Sequence, residues 1–159
     1  MTEKFIFPVT DEAGNNMCIS PIHMVTKNIF IGDHNAAADR VILSNYGITH
    51  IINCAREVEN YFESKGKIQY LNLNLLDSND PIIPAAIKAY NYIRSVLENK
   101  PGSIFLIHCH MGISRSASVV IYYMMKKYGH DYERSLGMLK NIRPIVRPND
   151  SYNQQLKTF

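Results

Sequence analysis

The chain has 159 residues, 46% of them hydrophobic, which suits one domain with a sizeable core. Its net charge is +3 and no block of five or more basic residues occurs, so a nucleic-acid or anionic-lipid surface is not expected. The three cysteines, an odd number without close pairs, argue against a secreted disulfide scaffold. No apolar run approaches the roughly 18 residues of a membrane span, and no leader pattern opens the chain. Neither export nor membrane insertion is therefore expected.

Strand-like and helix-like segments alternate along the chain without internal repeats. Residues 1–23 are expected to be an irregular lead-in, followed by a single domain over 24–159. The predicted strands lie near 29–31, 49–54, 68–75 and 103–108. The predicted helices lie near 35–45, 84–99, 114–128, 132–142 and 150–156. This alternation predicts an α/β fold with a mainly parallel, twisted central sheet flanked by helices.

The most informative segment directly follows the last predicted strand. It begins with His108 and Cys109, has Gly112 in its middle, and reaches Arg115 after five intervening residues. A glycine permits a turn that curls successive backbone N–H groups inward, where they can bind an oxyanion. The helix that follows adds its unpaired N-terminal N–H groups and the positive end of its dipole. The segment therefore predicts an anion-binding loop.

Cys109 and Arg115 give this loop its chemistry. A helix N-terminus and nearby cations favour the thiolate form of a cysteine, so Cys109 is expected to be a nucleophile that needs no separate base. The planar fork of Arg115 can bind two phosphate oxygens at once. Attack on phosphorus would form a phosphocysteine, with Arg115 and the loop amides stabilising the spread of charge.

No metal or other cofactor is required by this scheme. His108, Cys109 and His110 are consecutive, and on an extended chain they alternate between opposite sides, so they cannot converge on one metal ion. A Cys and an Arg at this spacing are by themselves a weak signal, and the other interpretation is a buried structural cysteine with a nearby surface arginine. The strand before the loop, the glycine within it and the apolar helix after it favour the catalytic interpretation.

The segment HCHMGISRSAS resembles the signature loop of the dual-specificity branch of the cysteine-dependent protein phosphatases. The similarity extends over about 29–156, including 47–53 and the late segment 143–149, and indicates a small, atypical member. It implies a protein tyrosine phosphatase-like fold, with 24–159 as the catalytic domain, and hydrolysis of phosphotyrosine and phosphoserine/threonine. The implied phosphate-binding residues are His110, Met111, Gly112, Ile113, Ser114 and Arg115. His110 and Met111 depart from the commonest pattern, which affects pocket shape and substrate choice.

The resemblance also implies further roles. A general acid should lie on a loop upstream of the cysteine, where Asp77 follows the third predicted strand and Asp80 is its rival. Asp80 precedes a proline, a position better suited to a turn, so Asp77 is the candidate. Ser116 is implied to assist breakdown of the phosphocysteine, or else it makes a local helix hydrogen bond. His108 is implied to order the loop.

The substrate is predicted to be a phosphorylated protein. Phosphoinositides and RNA 5′-phosphates are alternatives, although Met111 and Ile113 stand where extra cations would favour a lipid headgroup. A phosphopeptide-binding module with little turnover is a third possibility. The segment 55–62, with Arg56, Asn60 and Tyr61, either lines the pocket rim or is an ordinary connector.

The remaining expectations concern setting and state. A monomer is favoured, and a cytoplasmic location is expected, with the nucleus as a second location. Cys54 ends an apolar strand and is expected in the core, whereas Cys18 lies in the uncertain N-terminal part. Either is a candidate to pair with Cys109 under oxidation.

Overall fold

The structure, a computed structural model, describes residues 7–10 and 16–159, with side chains from Ile19 onward. Its strands are β1 (Phe7–Thr10), β2 (Asn16–Ile19), β3 (Ile22–Thr26), β4 (Ile29–Gly32), β5 (His50–Ala55), β6 (Gln69–Leu75) and β7 (Phe105–His108). Its α-helices are α1 (His34–Ala38), α2 (Arg40–Asn45), α3 (Ile82–Asn99), α4 (Arg115–Tyr128), α5 (Tyr132–Ile142) and α6 (Asp150–Lys157). A 3₁₀ turn spans Glu63–Lys65.

Five strands form the central sheet in the order β3-β4-β7-β5-β6. The pairs β4–β7, β7–β5 and β5–β6 are parallel, and the edge strand β3 is antiparallel to β4. Strand β7 is thus the middle strand. Because ligands of open α/β sheets bind beyond the carboxyl ends of the strands, the loop after β7 emerges at the expected binding edge.

The sheet is covered on both faces, since alternate residues of each strand belong to different cores. One set of these residues packs with helices α3 to α6 and consists of Ile29, Ile31, Ile52, Phe105 and Ile107. The residues between them, Phe30, Ile51 and Leu106, pack with α1 and α2. The prediction of an α/β fold with a mainly parallel sheet flanked by helices is confirmed.

The prediction of an irregular segment over 1–23 is wrong for the part of it that the structure describes. Strands β1 and β2 pair in an antiparallel hairpin, and β3 begins at Ile22. After Ile22, the residues of β3 are partly buried or, at Met24, exposed, so this edge strand has a weak apolar pattern. A turn of two residues between Thr26 and Ile29 joins β3 to β4, and so short a connection is typical of a hairpin, although no hairpin was predicted here. The boundary between a lead-in and a domain over 24–159 stays a prediction.

The single helix predicted over 35–45 is divided in two at Asp39. This residue has an extended backbone, with φ −103° and ψ 104°, and its side chain accepts hydrogen bonds from the amides of Val41 and Ile42. Asp39 therefore ends α1 and caps α2, which changes the direction of the chain.

Helix α4, which begins directly after the loop, is buried over most of its length. Every residue from Arg115 to Met124 is buried, because the helix packs on the sheet between α3 and α5. Gly129, with φ 68°, ends it in the left-handed conformation that glycine adopts readily. None of the helices in the described part of the chain has the length and apolar character needed to cross a bilayer.

The last residue of β7 is a buried histidine. His108 is 1% exposed, and its Nδ1–H donates to the carbonyl oxygen of Cys109 at 3.0 Å. Burial lowers the pKa of His108 to about 4, so the ring is neutral at physiological pH. The strand end is thereby fastened to the start of the loop by a neutral donor.

We predict that Gly32→Ala destabilises the protein by about 1–3 kcal/mol, because a Cβ in this tightly packed position overfills it. The added atom would lie 2.7 Å from the carbonyl oxygen of Pro21 and 3.1 Å from Cδ1 of Leu106. Gly137→Ala is the control, since a Cβ there meets nothing within 4 Å and the residue lies inside α5. The control should gain about 0.5–1 kcal/mol from helix propensity. Equal free energies of unfolding for the two variants in urea would contradict this packing.

We predict that His108 makes the protein less stable as the pH falls from 6.5 towards 4. The folded pKa of about 4 lies below the ordinary 6.5, so the unfolded chain binds the proton first. The resulting loss in the free energy of unfolding approaches about 3 kcal/mol. His23 adds to this loss, because burial and the nearby Arg143 lower its pKa to about 4 as well. His108→Asn keeps a donor but cannot titrate, so its free energy of unfolding should vary less over this range. Parallel pH profiles for the two proteins would be inconsistent with a buried neutral His108.

Candidate active site

The loop after β7 is held from outside through its carbonyl oxygens. The carbonyl of His110 accepts from the amide of His34 at 2.9 Å, and that of Ile113 accepts from the amide of Arg147 at 2.7 Å. The carbonyls of Met111 and Gly112 accept from the Arg143 guanidinium at 3.1 and 2.9 Å. With His108 bound to the carbonyl of Cys109, the five successive carbonyls from Cys109 to Ile113 all have donors that lie outside residues 109–113.

This arrangement dictates where the loop amides point. In a trans peptide the C=O and the following N–H point in opposite directions, and the described residues contain no cis peptide. Carbonyls that point outward therefore turn the amides of residues 110–114 inward. An inward contact fits this geometry, because the amide of Gly112 donates to Sγ of Cys109 at 3.2 Å.

Gly112 is required by the shape of the loop. Its φ is 68°, which side chains rarely adopt. A Cβ there would lie 2.7 Å from the carbonyl oxygen of Gly32 and 2.8 Å from Nη2 of Arg143. The loop is pressed between β4 and Arg143 at the point where it turns, and only glycine fits.

Cys109 lies at the base of the resulting cradle. It is 2% exposed, and its Sγ is 3.2 Å from Oγ of Ser116, a fully buried residue in the first turn of α4. Cys54 and Cys109 are both free thiols, and burial raises the pKa of the Cys54 thiol. The side chain of Cys18 lies outside the described residues.

Arg115 is oriented by an acidic residue that the sequence analysis did not single out. Its Nη1 and Nη2 donate to the two carboxylate oxygens of Glu57 at 2.7 and 2.5 Å, and Nη1 also donates to the carbonyl of Leu75 at 2.9 Å. These hydrogen bonds lower the pKa of Glu57 to about 2, so the partner is a carboxylate. The edge of the guanidinium formed by Nη1 and Nη2 is therefore held in place.

The edge of the guanidinium formed by Nε and Nη2 remains available to bind a ligand. A guanidinium has five N–H donors, and Glu57 and Leu75 engage three of them. Nε is buried and has no partner among the described residues. Nε–H and the second N–H of Nη2 form a two-donor fork, which is the geometry that binds two oxygens of one phosphate.

Asp77 is docked against the loop. Its Oδ1 accepts from the hydroxyl of Ser114 at 2.6 Å and from Nδ2 of Asn149 at 3.0 Å. Its backbone has φ 61°, a region that Asp tolerates better than most residues. Ser114 also accepts from the amide of Asn149 at 3.0 Å, so the anion-binding loop, the Asp77 loop and the start of α6 are joined.

Asp80 has a different environment. Its carboxylate accepts from the amides of Leu76 and Ser78 and from the hydroxyl of Tyr152. These hydrogen bonds lower the pKa of Asp80 despite partial burial. Asp80 closes the loop that carries Asp77 and ties it to α6, which fits the structural role expected for it.

The rim of the cradle contains two residues that depart from the common loop pattern. The ring of His110 stacks on that of His34, with centroids 4.4 Å apart and planes 3° apart. Met111 is 44% exposed, and Leu76, next to Asp77, is 55% exposed. An approaching substrate therefore meets imidazole and apolar surfaces at the rim.

Arg143 is a second residue whose importance the sequence did not reveal. It is 1% exposed, and besides the two loop carbonyls it donates to the carbonyl of Ser20 and to Nδ1 of His23. The resemblance included Arg143 only as part of a motif. Its contacts show that it connects the loop to the segment before β3.

The structure brings together all the predicted loop residues from His108 to Ser116, and it places Asp77 at their edge. Of the segment 55–62, Glu57 contacts the site directly, and Asn60 accepts from Nδ2 of Asn53. A signal for Glu57 existed, because it closely follows the carboxyl end of a central parallel strand. Among the described residues, no group of three or more His, Cys, Asp or Glu side chains could hold a metal ion.

Comparison with known sequences identifies related proteins. The family model described as dual specificity phosphatase, catalytic domain, matches residues 29–159. The chain is 35% identical over 133 residues to mouse protein phosphatase Slingshot homolog 3, covering 83% of this chain and 20% of that protein. It is 35% identical over 136 residues to human Slingshot homolog 2, covering 85% of this chain and 9% of that protein. The chain thus spans a fifth or less of the length of these curated relatives.

Solved structures have the same fold. The crystal structure of DUSP15 has a TM-score of 0.79 and 30% identity, covering 87% of this chain and 86% of that one. The crystal structure of human DUSP28 also has a TM-score of 0.79, at 23% identity, covering 88% of this chain and 93% of that one. With the family match over 29–159, these similarities show that the chain belongs to the dual-specificity phosphatase family.

Proposed function

We propose that this protein is a phosphatase that hydrolyses phosphotyrosine and phosphoserine/threonine in proteins through a phosphocysteine intermediate. The observation that carries the proposal is the cradle itself. Five carbonyls of the loop are bound from outside, so the amides that follow them face Cys109, and the free edge of Arg115 completes the ring of donors. Such a ring matches the three equatorial oxygens of a phosphoryl group in transfer.

The first step is attack of the Cys109 thiolate on phosphorus. An S–P bond forms as the bond between phosphorus and the leaving oxygen breaks, and the electron pair of that bond remains on the leaving oxygen. Asp77, in its protonated form, gives this oxygen a proton, and its position at the edge of the loop supports the assignment. The loop amides and the Arg115 fork stabilise the negative charge on the equatorial oxygens.

The second step is hydrolysis of the phosphocysteine. Water attacks phosphorus, Asp77 accepts a proton from the water, and the S–P bond breaks to restore the thiolate. Ser116 is suited to donate a hydrogen bond to the leaving sulfur, because its hydroxyl lies 3.2 Å from Sγ. In both steps negative charge lies on the equatorial oxygens of the phosphoryl group. The carboxylate of Glu57 holds Arg115 in the position from which it stabilises this charge.

The proposal covers substrate and setting as well. Phosphoproteins are the proposed substrates because the family is one of protein phosphatases and the rim exposes the apolar side chains of Met111 and Leu76. A cytoplasmic location and a monomeric state stay predictions from the sequence.

We predict that Cys109→Ser abolishes hydrolysis of a small aryl phosphate in the presence of a chelator. The serine hydroxyl is a far weaker nucleophile than a thiolate at neutral pH. Cys54→Ala is the control, since Cys54 is a second buried free thiol that lies on β5 and outside the loop. Full activity of Cys109→Ser would refute the mechanism.

Parallel assays on phosphopeptides, phosphoinositides and triphosphate-ended RNA test the substrate class, and a preference for lipid or RNA would overturn the choice of protein.

We predict that Asp77→Asn slows hydrolysis of alkyl phosphates by about 10²- to 10⁴-fold, because the leaving alkoxide then lacks a proton donor. The loss should be much smaller for an aryl phosphate whose phenol has a low pKa. Asparagine retains the oxygen that accepts from Ser114 and Asn149, so substrate binding should be preserved. Asp80→Asn is the control, and it should show no dependence on the leaving group. The same loss for both leaving groups in Asp77→Asn would show that another residue supplies the proton.

A further inference from the structure

A second cavity, separate from the cradle, lies beside α2. It has a volume of about 540 Å³ and is bounded by α2, the turn before β5 and the segment from Phe62 to Ile68. We call it the basic groove, because Arg40, Lys65 and Lys67 line it. Its apolar lining consists of Leu43, Ile48, Phe62 and Ile68. None of these residues takes part in the proposed chemistry.

Among the described residues, nothing neutralises the positive charge of the groove by an ion pair. No carboxylate of residues 19–159 lines the groove, and Arg40, Lys65 and Lys67 form no ion pair within that range. The nearest carboxylates in sequence are Asp39 and Glu63. Asp39 caps α2 and Glu63 accepts from Nδ2 of Asn60, and neither forms an ion pair with a cation of the groove. The groove therefore attracts an anion from outside the chain.

The apolar lining indicates what kind of anion. Leu43 and Ile48 are buried members of the core beneath α1 and α2, and Phe62 and Ile68 pack against that core while remaining partly exposed. The guanidinium of Arg40 lies 5.6 Å from the centroid of the Phe62 ring, which holds one cation directly beside the apolar surface. A ligand complementary to this lining places a hydrophobic group against the apolar residues and anionic groups beside the cations.

One segment connects the groove to the cradle. It begins near Glu57, which binds Arg115, and continues through Phe62 and Lys65 to the groove. On the other side, α1 contacts the loop through His34, and α2, which carries Arg40, follows directly. The two sites are therefore built on the same two stretches of chain. Residues 47–48 of the groove precede β5 and residues 67–68 precede β6, so this part of the groove lies towards the amino ends of these strands, whereas the cradle lies beyond the carboxyl end of β7. A substrate that occupies both sites must therefore extend along the face of the sheet that α1 and α2 cover.

We propose that the basic groove binds an acidic segment of the phosphoprotein substrate, in which acidic residues flank a large hydrophobic side chain. This inference rests on the proposed function, because it assumes a protein substrate in the cradle. A membrane surface fits less well, since flat headgroups do not fill a recessed apolar cavity. Binding outside the cradle adds affinity and selectivity without changing the chemistry.

The test begins with binding, which needs no turnover. The Cys109→Ser protein is titrated into a fluorescein-labelled peptide, without phosphate, in which glutamates flank a phenylalanine. Saturable, salt-sensitive binding is expected, and combining Arg40→Glu, Lys65→Glu and Lys67→Glu should weaken it by about tenfold or more. Replacing the phenylalanine by serine, or the glutamates by glutamines, should weaken it similarly.

The matched control combines Lys88→Glu, Lys127→Glu and Lys140→Glu, exposed residues of α3, α4 and α5. It makes the same change in net charge but should leave peptide binding within about twofold of the starting protein. Equal weakening by both sets would overturn the proposal, because it would mean non-specific charge attraction. Stronger binding to anionic lipid vesicles than to the peptide, lost in the groove variant, would overturn the choice of a protein segment.

Kinetics then separate this inference from the proposed function. A phosphotyrosine peptide joined to the acidic peptide by a flexible Gly/Ser linker should show a KM about tenfold higher in the groove variant, with kcat unchanged. Hydrolysis of a small aryl phosphate should be the same in the groove variant and the starting protein. An unchanged KM for the linked peptide would refute the docking site. Absence of aryl phosphate hydrolysis in the starting protein would instead refute the proposed function.

Discussion

The site depends on one constraint, which is that the loop after β7 presents its carbonyls to the fold and its amides to the ligand. Each carbonyl from Cys109 to Ile113 has a donor outside the cradle. These donors come from a strand end, from α1, and from the segment that follows α5. An anion-binding loop would otherwise be unstable without its anion, since converging amide dipoles repel one another. The surrounding fold therefore fixes the cradle before substrate arrives.

Arg115 shows the same principle in a side chain. Its guanidinium would be free to rotate if only substrate held it, but Glu57 and the carbonyl of Leu75 engage one edge. The other edge, with the unpartnered Nε, is left for the phosphate. The negative charge of Glu57 also offsets the cation in the absence of substrate. Because less side-chain entropy remains to be lost on binding, more of the interaction energy is available to the transition state.

The loop and the central sheet could be predicted because their signals are local, and Asp77, the candidate that the resemblance implied, lies at the edge of the loop. Nine consecutive residues from His108 to Ser116 contain the nucleophile, the turn glycine and the cation. The sequence did not reveal the partner of Glu57, which is 58 residues away, or the hold of Arg143 on Met111, across 32 residues. Such contacts depend on how strands and helices are arranged. The position of Glu57 just after a parallel strand indicated that it lies at the binding edge, but no local pattern identified its partner. Strand β3 was missed because this edge strand has only one buried residue, Ile22, and its apolar pattern is weak.

The most direct test of the account is a crystal structure of the protein with vanadate. We expect vanadium bonded to Sγ of Cys109, with its equatorial oxygens accepting from the loop amides and from Nε and Nη2 of Arg115. The carboxylate of Glu57 should remain on the opposite edge of the guanidinium, where it lies without a ligand. A cradle left empty at saturating vanadate would contradict the account, as would an oxyanion bound only after Glu57 is displaced from Arg115.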